Sequence, residues 1–181
     1  MGGVYFLAYR GRSPLSRLIR FLTAGDYSHI GLAVVREGGE LAPWGLRHGA
    51  RPELELGAWG RWYRPWEARI RVLEIDEAHT PGTPVDLFRL PCTEAEARGI
   101  LDFYRKHLGA GYDFLGALTS LVRPVGEDKR RWFCSEIAYA ACLAAGVRLL
   151  NETRPHKVTP RIFALSPYLK RVGQFETGGR S

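Results

Sequence analysis

The sequence has no apolar run approaching the roughly 18 residues that a membrane-spanning helix needs. Its start, Met1-Gly2-Gly3-Val4-Tyr5-Phe6, has neither the basic opening and long apolar stretch of a secretory signal nor the Ser/Thr of a myristoylation motif. The expectation is a soluble chain, cytoplasmic as synthesised, with export by another route left open. Cysteine is scarce: Cys92, Cys134 and Cys142 form neither a disulfide framework nor a CxxC metal pattern. No metal and no cofactor are expected. Blocks of five or six like charges are also missing, although 26 Lys+Arg against 19 Asp+Glu give a net charge of +7. That excess allows contact with an anionic cell-wall polymer or a peripheral membrane surface, and it points to no specific nucleic acid. Repeats, low-complexity segments and linkers are absent, so the 181 residues, 45% of them hydrophobic, are expected to form a single domain, 1–181.

Strand formers at Val4–Tyr9 predict a first strand. Ser13 as cap, Pro14 at the first helical position and a stripe of Leu15, Leu18, Ile19 and Leu22 predict a helix that Gly25 closes. Arg12, Arg17 and Arg20 lie mostly off that stripe. Asp26-Tyr27-Ser28-His29-Ile30-Gly31-Leu32 turns into a second strand with His29 at its start. Gly38-Gly39 is a hairpin signal, because a two-residue loop needs positive φ values that glycine tolerates. In that register paired residue numbers sum to about 77, which sets His48 opposite His29, although Pro43 and Gly45 interrupt the returning strand. Residues 51 to 69, with Trp59, Trp62, Tyr63 and Trp66, read as an aromatic loop or short helix that covers a sheet edge or walls a pocket. Strands are expected at Ile70–Ile75 and Val85–Leu90. Thr93-Glu94-Ala95-Glu96 is a capping box that opens a helix closed by Gly109. Leu115–Val122 is an apolar segment, and Pro124–Lys129 a polar loop ahead of Cys134.

The remaining helix carries the chemistry. Ile137, Ala140, Ala141, Ala144 and Ala145 share a helical face and Gly146 can end it, which leaves Cys134 in or just before the first turn. There, unsatisfied N–H groups and the helix dipole favour a thiolate, as do Arg130 and Arg131. Cys134 is either a nucleophile or a small buried hydrophobe. Cys142, among alanines, reads as plain core. A nucleophilic cysteine needs a base and a group that holds the base, and His29 with His48 nearby are the candidates.

Tyr27-Ser28-His29-Ile30-Gly31-Leu32, followed about a hundred residues later by Trp132-Phe133-Cys134-Ser135-Glu136, resembles the permuted papain-like fold of the NlpC/P60 superfamily in its YiiX-like branch. Gly111-Tyr112-Asp113 and Val158-Thr159-Pro160 extend the resemblance over most of the chain. It implies an α+β fold, an antiparallel sheet of about five or six strands packed with helices. It also implies Cys134 as nucleophile and His29 as general base. The family's third polar residue, often Glu in this branch, lies on the strand after the histidine strand. Leu41-Ala42-Pro43-Trp44-Gly45 holds no acid or amide, so the role falls to His48, to Glu40 or to nothing, with His48 preferred. The backbone N–H of Cys134 is the expected oxyanion donor, with Tyr27 as the second, and Tyr27 and Tyr112 are the expected substrate-binding residues. The implied activity is a cysteine peptidase or amidase type of hydrolase acting on a cell-wall peptide or related amide. The alternatives are a lipid acyl hydrolase or acyltransferase of the same fold, and a binding module that keeps the fold without the chemistry.

Overall fold

A computed structural model describes residues 2–44, 46, 50–59, 68–112, 131–151 and 153–178, with backbone only for Tyr112 and Arg131. Strand β1 (Gly3–Tyr9) alternates Val4, Phe6 and Ala8 with Tyr5, Leu7 and Tyr9, and every one of them is buried. A strand buried on both faces needs this unbroken run of apolar and aromatic residues. It lies inside a sheet ordered β8-β7-β5-β4-β2-β1-β6-β9, where β2 is His29–Glu37, β4 Leu54–Trp59, β5 Arg69–Glu74, β6 Pro84–Pro91, β7 Gly111–Tyr112, β8 Arg131–Trp132 and β9 Lys170–Glu176. The short β3 (Glu40–Ala42) joins β2 off that path. All pairings are antiparallel except β7 with β8. The fold is therefore α+β, with more strands than the five or six expected, because β4, β9 and the two-residue β7 and β8 were not anticipated.

Helices α3 (Glu94–Lys106) and α4 (Cys134–Ala144) join the larger core, where Ile100, Leu101, Ile137 and Ala141 meet Phe6, Ile30, Leu32 and Leu56. A smaller core gathers Tyr5, Leu7, Tyr9, Ala33, Val85 and Leu87 with Ile75, the first residue of α2 (Ile75–Ala78). The caps follow the sequence. Thr93 and Glu96 form a complete capping box, and Ser13 accepts from the Ser16 N–H ahead of Pro14 in α1 (Pro14–Leu22). Thr159 likewise caps α5 (Pro160–Ala164), accepting from the Ile162 N–H at 3.2 Å.

Two local expectations fail at α1. Its left-handed exit residue is Ala24, with φ 47°, not Gly25. Gly25 is instead a point of close approach, since a Cβ there would lie 2.6 Å from Cβ of Arg161. The predicted stripe also does not enter the core: no residue of α1 is buried.

Candidate functional site

Gly38 and Gly39 have φ of 58° and 89°, and the hairpin they close pairs Val35 with Ala42, Arg36 with Leu41 and Glu37 with Glu40. The sum of 77 therefore holds at the tip. It stops at Ala42, because β3 is three residues long and Leu32–Val34 pair with Leu54–Leu56 of β4. The reasoning that set His48 beside His29 fails for that reason, and His48 itself lies outside the described residues. Glu40 is exposed at the hairpin tip, 3.8 Å from Arg105, and takes no part in the site.

The partner of His29 comes from β4. Nε2 of His29 lies 3.1 Å from Oε1 of Glu55, and Nε2 of His79, just after α2, lies 3.2 Å from the same oxygen. Glu55 is fully buried in a strand with Leu56, Gly57 and Ala58. It opposes Ala33 in register, and its carboxylate reaches diagonally toward His29 over Gly31. Burial alone would raise the Glu55 pKa. The charges of His79 and then His29 outweigh it and hold the carboxyl well below the usual range. An ionised carboxylate only accepts, so both rings carry their proton on Nε2. Among the described residues, Oε2 of Glu55 and the hydroxyl of the buried Tyr9 lack a well-formed hydrogen bond. The two groups still act on each other: the Tyr9 pKa is raised well above 10.0, first by burial and next by the Glu55 charge. Tyr9 also stacks on His79, centroids 3.9 Å apart, and closes this side of the site.

Cys134 is the first residue of α4, buried at 2% exposure, and its thiol lies beside His29, near enough for each to shift the titration of the other. With Nε2 committed to Glu55, Nδ1 is the ring nitrogen left for the thiol. Burial would raise the Cys134 pKa, but the hydrogen bond and charge of His29, then the N–H groups of Ile30 and Ser135, bring it below 9.0. Burial likewise opposes a charged His29. The Glu55 charge, the Cys134 hydrogen bond and the Glu55 hydrogen bond prevail and raise its pKa from 6.5 to about 10. Each group's charged form therefore favours that of the other, which lowers the barrier to moving the thiol proton onto the ring.

Neighbouring contacts hold the cysteine helix in place. The Phe133 N–H donates to Glu136, and the Ser135 hydroxyl donates to the Val158 carbonyl at 2.5 Å, joining the motif that follows the cysteine to Val158-Thr159-Pro160. Cys142 is fully buried, and burial pushes its thiol pKa up, as expected of a core residue. Tyr27 is bonded within a neighbouring cluster of charges. Its hydroxyl donates to Asp86 at 2.6 Å, within a cluster in which Arg10 and Arg171 also contact that buried carboxylate. The Tyr112 side chain and the segments 60–67 and 113–130 lie outside the described residues.

Glu55 and His79 were missed. The tryptophans that follow drew Glu53-Leu54-Glu55-Leu56 into the aromatic loop or short helix expected over residues 51 to 69, where no inward-facing acid is looked for. An available signal was the resemblance itself, which asks for a glutamate on the strand after the histidine strand. His79 lies in irregular chain, where periodicity carries no information.

No family model and no curated protein match the chain. Among solved structures, the crystal structure of the metalloprotein YiiX from Escherichia coli O157:H7 is similar at a TM-score of 0.64 and 17% sequence identity, over 96% of this chain and 97% of that one. Likeness at that identity concerns the fold, and it extends over nearly the whole of both chains: the α+β architecture that brings Cys134, His29 and Glu55 together is similar to that of YiiX.

Proposed function

We propose that the protein is a cysteine hydrolase of amide or acyl bonds, of the permuted papain-like type, with Cys134 as nucleophile, His29 as general base and Glu55 as the group that orients the base. The observation that carries this reading is the buried chain of contacts from Cys134 through His29 to Glu55. His29 Nδ1 takes the thiol proton, and the thiolate forms a C–S bond at the substrate carbonyl. Collapse of the tetrahedral adduct breaks the C–N or C–O bond, and the imidazolium returns the proton to the leaving group. Water then attacks the thioester carbonyl, giving its proton to His29; the second adduct collapses with cleavage of the C–S bond, the acid leaves, and the proton on His29 returns to the Cys134 sulfur. The Cys134 N–H, at the mouth of α4, is placed to stabilise the oxyanion. A cell-wall peptide is the substrate class that the papain-like resemblance puts first.

Alkylation by iodoacetamide tests the proposal. The thiolate of Cys134 stabilises the fold above the ordinary thiol pKa of 9.0 and loses that contribution as pH falls through its lowered value. The imidazolium of His29 contributes fully below 6.5 and loses it as pH rises through about 10. The lowered Cys134 value predicts labelling that is already appreciable below pH 9, declines toward acid, loses its fast component in Cys134→Ala, where the half-buried Cys92 remains, and persists in Cys142→Ala. A rate that rises only near pH 9, or equal loss in both variants, would favour the binding-module reading.

A second reading rests on His29, Glu55 and His79, whose ligand atoms all lie within 4.8 Å of one another. Two imidazole nitrogens and a carboxylate suit Zn(II), and Oε2 of Glu55 is a buried ligand atom that has no hydrogen-bond partner of good geometry among the described residues. The similar structure is itself titled a metalloprotein. A bound ion there would act as a Lewis acid or a structural tie, and His29 would then be a ligand as well as the neighbour of Cys134. Metal analysis after zinc loading and gel filtration is the test. Near-stoichiometric zinc that is lost in His79→Ala supports the metal reading; zinc-free protein with fast Cys134 labelling leaves the hydrolase reading alone.

A further inference from the structure

We propose that α1 and the adjoining end of α5 form a docking surface for an anionic bilayer. Helix α1 is amphipathic in sequence, yet it turns part of its apolar face outward: Phe21 is 81% exposed, Leu18 44% and Leu22 40%. Such a stripe normally lies against a core. Here the inward positions include Ser16 and Arg20, of which Ser16 is held by the Ser13 cap and Arg20 donates to the Gly11 carbonyl at 3.3 Å. The helix is thus fixed with its most apolar residue pointing away from the protein.

The patch does not end with α1. Gly25, just past the helix, lies against Arg161 of α5, and beyond it Ile162 is 37% and Leu165 68% exposed. Exposed cations flank these residues, since Arg17 lies one helical turn before Phe21 and Arg161 one turn before Leu165; α1 holds no acid, and Asp26 is an exposed acid just beyond Gly25. An apolar face rimmed with arginine matches the interface of a bilayer with anionic headgroups, where the apolar side chains enter the acyl boundary and each nearby cation adds attraction. The net charge of +7 adds to the same attraction at longer range. A protein partner would need an acidic rim around an apolar groove, and it is the other outcome of the test.

The surface adjoins the catalytic pair. Ser28, the residue before His29, accepts from the Gly11 N–H at 3.1 Å, and Gly11 leads into the Ser13 cap of α1. The inference does not depend on the hydrolase reading, because binding is measured without turnover.

Co-sedimentation of the whole chain with phosphatidylcholine vesicles, with and without a quarter of phosphatidylglycerol, decides it. Binding is expected to the anionic vesicles, to weaken with added salt, and to fall at least tenfold in Phe21→Asp and in Arg17→Glu. Cys134 alkylation in solution should be unchanged in both variants, which checks that they are folded and keeps this test separate from that of the hydrolase. Equal sedimentation with both vesicle types, none with either, or binding unaffected by Phe21→Asp would overturn the proposal. A chain that ignores vesicles but forms dimers lost in Phe21→Asp would mean that the face receives a protein.

Discussion

Glu55→Gln is expected to lower kcat by about 10³- to 10⁴-fold with little change in KM, by analogy with the loss of the orienting acid in triads of this logic. The glutamine fills the same volume on β4 and can still accept from one ring. What it removes is the charge. Glu55 is the largest cause raising the His29 pKa, so its neutral replacement lets burial prevail and the ring titrates lower. A less stable imidazolium supports the Cys134 thiolate less, and the acid limb of labelling moves to higher pH. Glutamine can also present its amide N–H₂ to His29, which favours the wrong tautomer by moving the ring proton to Nδ1, where the base must be free. His79→Gln is the comparison, because among the site's polar groups His79 bonds only to Glu55. Its loss should cost turnover far less. Steady-state kinetics of the two variants beside wild type, with circular dichroism to confirm folding, checks this. If Glu55→Gln retains a third of wild-type turnover, Glu55 is a structural acid.

Local rules made much of this site legible. A helical stripe and a closing glycine located the cysteine helix, and the strand onset located His29, although 105 positions separate the two residues. The Gly38-Gly39 signal gave the right register where the two-residue loop dictates it. It failed farther back, because strand pairing persists only while the chain stays extended, and Pro43 follows Ala42 at the end of β3. Glu55 was hidden for a different reason. A buried acid on a strand is unfavourable unless histidines meet it, and one of these, His79, reaches it from chain 24 residues away that has no periodic pattern. Helix α1 shows the opposite failure: an apolar stripe says that a face avoids water, not which surface covers it.

The glycine that makes room for Glu55 carries the last prediction. Gly31 lies on β2 between His29 and Ala33, and its backbone is extended, so an alanine there meets no conformational strain. Space is the obstacle. A Cβ at position 31 would lie 2.6 Å from Oε2 of Glu55, 3.1 Å from its Cδ and 3.4 Å from its Cβ. The carboxylate has nowhere to swing, since Glu55 is fully buried and Oε1 is held by two rings. Gly31→Ala should therefore displace the carboxylate from His29. Overpacking of this kind typically destabilises by about 1–3 kcal/mol. A misplaced orienting group of about 1 Å costs on the order of 10²-fold in rate. Thermal melts and kcat measured on the same preparations would show both losses together. Shortening the acid relieves the overlap, so Gly31→Ala combined with Glu55→Asp should regain stability relative to Gly31→Ala alone, whereas Glu55→Asp in the Gly31 background should lose it. Additive losses in the double variant, or unchanged turnover in Gly31→Ala, would mean that the carboxylate does not lie over Gly31 in the functional state.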